Sequence, residues 1–486
     1  MFWPHSSWPL LALYLFYLAV ALTVCAQMVY HKRDPVKTIS WTVVLLFLPF
    51  AGLIIYLYFG QNYRKNKIYS RKGHRDERIK KVISAQQIAQ FEALKGLLPE
   101  EIAKQQRLIK LNLNNNKSIL TTHNQITLYT KGKEALEAML ESVRMARHHI
   151  HLQTYIIEND AVGTLWQQTL IQKAKQGVEV RFIYDDVGSW RLPNHFIQKL
   201  EAAGVEVRPF ASVRYPWLTS KINYRNHRKI LVVDGHTGYM GGVNIADRYY
   251  SGGDWVLWRD AHIRIKGEAV ANLQSSFFLD WYFIQGKNIS SRLLFYPSPA
   301  IEPPVCFTQI ITSGPDSDYA NIMQSYFTAI TQAKKHIYII TPYFTPNETI
   351  LNAIKIASLS GVDVRIMMPE KSDARVVHLS SRSYYTELME AQVKIHLFRK
   401  GFSHSKVVSI DGEFCIIGSA NLDNRSFEHN FEISALIYNE ALTLQVESQF
   451  RTDIKNCTLL QIKTWEKRPK REKIAEAFAR LFSPLL

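Results

Sequence analysis

Two nine-residue segments carry the residue types from which acid–base chemistry on an anion can be built. They are His227-Arg228-Lys229-Ile230-Leu231-Val232-Val233-Asp234-Gly235 and His404-Ser405-Lys406-Val407-Val408-Ser409-Ile410-Asp411-Gly412. In each, lysine follows histidine by two residues, aspartate by seven and glycine by eight. Seventeen residues after each histidine stands an asparagine, in Gly241-Gly242-Val243-Asn244 and Gly418-Ser419-Ala420-Asn421. A lone His-x-Lys is most often part of an exposed strand. The same set repeated at one internal spacing is hard to attribute to chance.

An apolar, β-branched run closed by Asp-Gly reads as the first strand of a β-hairpin with a tight turn. Residues two apart on a strand share a face, so each copy presents an imidazole beside an ammonium. That pair suits an anionic substrate: the imidazole attacks or moves protons while the lysine holds negative charge. Asp234 and Asp411 lie five residues after the lysines, an odd offset that turns them to the other face. A supporting or orienting role is therefore expected of them. A carboxylate heads the next strand in each copy, Asp260 in Trp258-Arg259-Asp260-Ala261-His262 and Glu432 in Asn430-Phe431-Glu432-Ile433. Accepting from one imidazole nitrogen, such a group fixes the tautomer and stabilises the imidazolium; a solvated strand end is the competing use of an acid at that place.

The elements around these residues repeat as well. Ala146-Arg147-His148-His149-Ile150-His151 and Ala333-Lys334-Lys335-His336-Ile337-Tyr338 each open a strand, and a helix follows each. Gly177-Val178-Glu179-Val180-Arg181 and Gly361-Val362-Asp363-Val364-Arg365 open the next strands. Gly204-Val205-Glu206-Val207 and Val393-Lys394-Ile395-His396-Leu397 form the third pair before the histidine segments. Alternating strands and helices indicate α/β halves with a largely parallel sheet. Two like domains can pack about a pseudo-two-fold axis, and neither has an acid–base pair of its own, so His227 and His404 are expected in one shared centre. His148, His149, His151, His336 and His396 read as structural or surface residues. His429 is a candidate for the entrance, and Tyr343 and Phe344 for a lipid pocket, although core aromatics are commoner.

The chain of 486 residues has a formal charge of +17, which calls for an anionic partner, nucleic acid or membrane. Its four cysteines, Cys25, Cys306, Cys415 and Cys457, contain no Cys-x-x-Cys pair, so neither a zinc site nor a disulfide framework is indicated. Two uncharged apolar runs, 8–30 and 39–59, are each about the 20 residues that span a bilayer as a helix. The first lacks the basic start and small-residue cleavage site of a secretory signal. A two-helix membrane hairpin is expected. Nine Lys or Arg in 61–81, against three between the runs, place both the N-terminus and the catalytic part on the cytoplasmic side. The division expected is an anchor over 1–60, a basic connector over 61–115, and domains over 116–298 and 299–486.

With both motifs in hand, the chain resembles the phospholipase D superfamily, whose signature is His-x-Lys-x4-Asp with a downstream Gly-Ser-x-Asn. Both copies match, except that Gly242 stands where the signature has serine. Within it the chain is similar to the bacterial cardiolipin synthases, through the membrane helices, basic connector, tandem repeats and the tail Leu481-Phe482-Ser483-Pro484-Leu485-Leu486. The resemblance implies tandem phospholipase D-like domains and phosphatidyl transfer between two phosphatidylglycerol molecules, giving cardiolipin and glycerol through a phosphohistidine. It implies no metal and no cofactor, anionic phospholipid substrates, and a place in the bacterial cytoplasmic membrane. His227, Lys229, Asp234, His404, Lys406 and Asp411 are the catalytic set by this resemblance, with His227 the nucleophile and His404 the general acid/base. The residues alone are symmetric on that point. Asn244, Asn421 and Ser419 are candidates for holding the phosphate, and Asp260 and Glu432 for orienting the histidines. A phospholipase D-type hydrolase or a nuclease of the superfamily is the alternative, and two spanning helices argue against nucleic acid as partner.

Overall fold

The computed structural model describes residues 8–31, 35–60, 75–93, 99–212, 223–286, 295–297 and 304–486. Most of the basic stretch after the apolar runs, residues 61–74, lies outside them. The chain divides into a small unit, chiefly the N-terminal 66 residues, and a large unit of 67–212 with 224–486.

In the small unit, helix α1 (Trp8–Tyr30) has 23 residues with mean hydropathy 2.2 in its most apolar window. At 1.5 Å per residue it is about 35 Å long, enough to cross a bilayer core. The second run departs from expectation. It forms helix α2 (Pro35–Phe47), breaks at 48–50, and resumes as α3 (Ala51–Ile55) and a π-helical turn over Tyr56–Gly60. The cause is Pro49, which has no N–H and whose ring crowds the carbonyl four residues back. That carbonyl belongs to Leu45, and the Tyr17 hydroxyl of α1 donates to it instead. Among the described residues, α1 alone is long and apolar enough to span a membrane as one helix.

The large unit is built on one large sheet, beside which Phe344–Thr345 and Leu422–Asp423 form a separate parallel pair. Its first half contributes β1 (Thr121–Lys131), β2 (His149–Thr154), β3 (Glu179–Asp185), β4 (Glu206–Phe210), β5 (Ile230–Val233), β6 (Thr237–Gly241) and β7 (Trp258–Gly267). The second contributes β8 (Val305–Ser313), β9 (His336–Ile340), β10 (Phe344–Thr345), β11 (Asp363–Pro369), β12 (Lys394–Phe398) and β13 (Phe402–Ser403). After these come β14 (Val407–Ile410), β15 (Phe414–Gly418), β16 (Leu422–Asp423), β17 (Glu432–Tyr438) and β18 (Cys457–Leu459). The order across the sheet is β18-β12-β11-β9-β14-β15-β17-β8-β1-β7-β6-β5-β2-β3-β4. Read outward from β8 and β1 at the centre, β17, β15, β14, β9, β11 and β12 correspond to β7, β6, β5, β2, β3 and β4.

The sheet is mixed rather than largely parallel. Among the longer ladders, β2-β3-β4 and β9-β11-β12 are parallel and the central pairings are antiparallel. The Asp-Gly turns make β5–β6 and β14–β15 antiparallel hairpins. Asp234 and Gly235 have φ of 53° and 70°, and Asp411 and Gly412 have 55° and 75°. Positive φ at both central residues makes the tight hairpin turn whose twist matches its strands. Each turn aspartate then ties its hairpin to a neighbouring strand. Asp234 accepts from the backbone N–H groups of Arg147, His148 and His149 at 2.8–2.9 Å. Asp411 does the same with Lys334, Lys335 and His336 at 2.7–2.8 Å.

Alternation along the strands distributes the core. Leu231 and Val233 of β5 face the helices of the first half, and Val408 and Ile410 of β14 those of the second. Ile230, Val232 and Val407 point the other way, into a shared core with Ile263, Ile310, Ile417 and Ile433 through which the halves join. Each such side chain contributes about 1.5–3 kcal/mol by leaving water. Part of the stretch read as connector belongs to this unit: helix Glu100–Asn115 buries Ile102, Leu108, Ile109 and Leu113 against Ile322 and Tyr326.

Because Asp234 holds three backbone donors, Asp234→Ala is expected to lower stability by about 3 kcal/mol. Denaturation of the detergent-solubilised chain measures this. Activity per folded molecule should fall far less than in His227→Ala.

Candidate active site

His227 and His404 do not lie within β5 and β14 but in the extended segments just before them. Each segment crosses to the opposite half. The His227 N–H donates to the Phe431 carbonyl at 2.9 Å, and the Phe431 N–H to that of Arg225 at 2.9 Å. In the mirror arrangement β13 runs parallel to β7, and the His404 N–H donates to the Arg259 carbonyl at 2.7 Å. Phe431 and Arg259 immediately precede Glu432 and Asp260. The backbone pairing therefore delivers each histidine to the carboxylate of the other half.

His227 Nδ1 lies 3.0 Å from Glu432 Oε1 and 3.1 Å from Oε2, and 3.1 Å from the Ser419 carbonyl. His404 Nδ1 lies 2.8 Å from Asp260 Oδ2. An ionised carboxylate only accepts, so Nδ1 carries the proton in both rings and Nε2 keeps its lone pair. Burial pushes the His227 imidazole down, against the pull of Glu432, and pushes His404 down to about 4. Burial pushes the Glu432 and Asp260 carboxyls up, yet the histidines and lysines around them hold both below the usual value. At neutral pH the site holds two neutral imidazoles on two carboxylates.

Lys229 and Lys406 each turn the ammonium back to the carbonyl of their own histidine, at 2.7 Å in the case of Lys229. Burial pushes Lys229 down to about 7 and Lys406 down to about 8, against the attraction of Asp260 and Glu432. His227 feels the charge of Lys406, and His404 that of Lys229. The four basic groups from two halves thus form one buried electrostatic centre around the two carboxylates.

The remaining candidates divide. The Ser419 hydroxyl donates to Glu432 Oε2 and accepts from the Ile433 N–H at 3.0 Å, so it holds the carboxylate in place. At Gly242, the equivalent place, a Cβ would stand 2.0 Å from Asp260 Oδ1. Glycine is required there because the shorter aspartate, which also accepts from the Ala261 N–H at 2.8 Å, occupies the space. Asn244 is engaged on both sides: Oδ1 accepts from the Ile156 N–H at 3.0 Å and Nδ2 donates to the Tyr249 hydroxyl at 2.6 Å. Asn421 lies beside Asp423, and its buried Oδ1 has no hydrogen-bond partner among the described residues. Asp234 and Asp411 stay at the turns. Tyr343, half-buried, donates to Asp373 at 2.7 Å, whereas Phe344 is in the core. His429 is half-buried with its ring 6.0 Å from Tyr224. His149 and His151 are packed among Phe277, Phe278 and Phe295, away from the centre.

Other contributors carry no motif. Tyr155 meets His227 edge-on at 4.8 Å and lies 5.2 Å from the Lys229 ammonium, while Tyr249 and Trp258 flank His404 at 5.8 and 5.5 Å. Arg228, fully buried between His227 and Lys229, binds both oxygens of Asp280 at 2.7 and 2.8 Å and donates to the Glu432 carbonyl at 3.1 Å. Arg225 pairs with Asp185 at 3.3 Å. Tyr155 was marked by no sequence signal; it directly follows β2, where the second half has Pro342. Such an arrangement can bind a phosphodiester, attack it with one imidazole and pass a proton with the other. Among the described residues no cluster of three or more His, Cys, Asp or Glu could hold a metal ion.

Comparison with known proteins bears on this site. Residues 139–281 and 326–454 match the family described as cardiolipin synthase, phospholipase D-like domain, and residues 12–61 match the phospholipase D-nuclease N-terminal family. Cardiolipin synthase of Geobacillus kaustophilus is 41% identical over 94% of this chain and 90% of its own length. That of Oceanobacillus iheyensis is 36% identical over 97% and 98%. Among solved structures, phosphatidylserine synthase of Haemophilus influenzae covers 79% of this chain and 100% of its own, with TM-score 0.60 and 17% identity, a likeness of fold.

Two ammonium groups pushed down to about 7 and 8 regain protons when an anion arrives. Binding of inorganic phosphate at pH 8 is therefore expected to take up protons. Calorimetry in two buffers of different ionisation enthalpy measures it, and proton release would contradict this electrostatic account.

Proposed function

Because the chain belongs to the phospholipase D-like cardiolipin synthase family, we propose that it joins two phosphatidylglycerol molecules into cardiolipin and glycerol by phosphatidyl transfer. The observation that carries this reading is the pair of Nε2 atoms, each freed by a carboxylate on Nδ1, in one buried site with two lysines.

His227 Nε2 attacks the phosphorus of the first phosphatidylglycerol, and the bond to the glycerol oxygen breaks. The departing oxygen takes a proton from His404, which the phosphodiester's charge has made basic enough to carry one. The phosphatidyl group now sits on His227, so one difficult displacement becomes two easier ones. A hydroxyl of a second phosphatidylglycerol gives its proton to His404 and attacks the same phosphorus, releasing cardiolipin. Lys229 and Lys406 hold the non-bridging oxygens as charge builds. Glu432, braced by Ser419, and Asp260 keep the imidazoles oriented and stabilise them when charged. Asn244 and Asn421 order the walls of the phosphate site, and Asp234 and Asp411 fix the hairpins that carry the motifs.

The two halves act as domains related by a pseudo-two-fold axis through this centre, a reading supported by the matching strand order and the exchanged carboxylates. The chain is membrane-associated. Its broken second apolar run completes with α1 a hairpin in the bacterial cytoplasmic membrane, and the excess of basic residues after it favours a cytoplasmic catalytic unit. Anchoring at a lipid surface favours a phospholipid over nucleic acid as the phosphodiester.

With phosphatidylglycerol in detergent micelles, mass spectrometry is expected to find cardiolipin and glycerol; phosphatidic acid as the sole product would mark a hydrolase. The variant His404→Ala should accumulate the phosphatidyl group on His227. Label at His404 in His227→Ala would reverse the two roles.

A further inference from the structure

One helix of the large unit is built inside out. Lys470–Arg480 packs on helix Arg375–Arg382 through its acidic side. Glu472 and Glu476 pair with Arg382 at 2.7 and 2.9 Å, and Glu476 also pairs with Arg468 at 2.6 Å. Glu476, Ala479 and Ser483 are buried. The apolar residues point away: Ile474, Phe478, Leu481 and Phe482 are 57%, 64%, 73% and 52% exposed. Their spacing places them on one stripe. A surface helix in water buries its apolar stripe and exposes its charges, the reverse of this arrangement. Exposed Lys463, Lys467, Lys470, Arg471 and Lys473 accompany the stripe.

The end of the chain fastens this helix to the active-site wall. Ser483 Oγ pairs with Ser380 Oγ at 2.9 Å, and the Asn424 amide donates to the Ser483 carbonyl at 3.4 Å. The Arg425 N–H donates to the Leu486 carbonyl at 3.0 Å. Asn424 and Arg425 open the short helix that follows Asn421 and Asp423.

We propose that the exposed face of 470–482 is a membrane contact additional to the N-terminal helices, seated in the surface of an anionic bilayer beside the active-site wall. This deepens the phosphatidyltransferase reading and rests on it, since the substrate must pass from that bilayer into a buried centre. Aromatic and aliphatic residues flanked by lysines and arginine are the composition of a helix that lies in an anionic interface. The same cations set against a second copy of this face would repel.

The full-length chain is reconstituted in vesicles with an environment-sensitive fluorophore on Phe478→Cys, the unsubstituted chain under the same labelling serving as blank. Brominated acyl chains are expected to quench the probe in vesicles containing phosphatidylglycerol, at every protein-to-lipid ratio. In Ile474→Ser/Phe478→Ser, kcat/KM on bilayer phosphatidylglycerol should fall about tenfold, with kcat on monomeric short-chain phosphatidylglycerol unchanged. Absence of quenching overturns the proposal. So does quenching that fades as protein is diluted in lipid, which marks a second copy as the occupant, or an equal loss on both substrates. If the unsubstituted chain makes cardiolipin from neither substrate, the function beneath the proposal is overturned while the quenching is still read.

Discussion

Everything at the centre of this protein depends on two imidazole–carboxylate bonds that cross between its halves, His227 to Glu432 and His404 to Asp260. A carboxylate buried at the head of a central strand is unfavourable unless hydrogen-bonded. Here the bond that satisfies it also selects the tautomer of a histidine from the other half. Neither half is complete without its partner. The backbone contacts at Phe431 and Arg259, and the Arg228 guanidinium joining Asp280 to the Glu432 carbonyl, set the register that makes those bonds possible.

The same burial explains why the site awaits an anion. Two lysines and two histidines share a space with two carboxylates, and desolvation lowers the proton affinity of all four basic groups. A bound anion raises the proton affinity of all four again. Binding thereby restores the charges that stabilise the transition state, in surroundings already organised around them. The two halves are alike but not identical in this respect. Ser419 braces Glu432, whereas Gly242 yields its space to the shorter Asp260. Such asymmetry is what a reaction with one nucleophile and one acid–base partner can use.

Polar groups in the apolar parts of the chain follow the same rule of satisfied partners. Pro49 would orphan the Leu45 carbonyl inside the small unit, and Tyr17 takes it. The C-terminal helix keeps its glutamates against arginines and so leaves an apolar stripe outward. The partners that settle the matter lie elsewhere in the chain.

Much of the fold and site was nonetheless legible in the residues. Residue type and spacing marked the paired His-x-Lys segments, their Asp-Gly turns, the repeated strands, the long apolar α1 and the acids Asp260 and Glu432, because periodicity and turn chemistry are local properties. The odd offset of Asp234 and Asp411 placed them away from the lysines, as the turns show. The parallel sheet was overread because strand direction depends on which strands pair, and the Asp-Gly hairpins impose antiparallel neighbours. The second apolar run is interrupted at Pro49, where proline removes a donor and crowds the preceding turn, so a single helix spanning it is not formed. The partners that Ser419 and Asn244 make, Glu432 and Tyr249, are set by the folded chain. Which carboxylate serves which histidine is likewise a property of the packed halves: Glu432 lies 205 residues from His227 and Asp260 lies 144 from His404. No local pattern encodes a bond across that separation; the shared core of the two halves decides it.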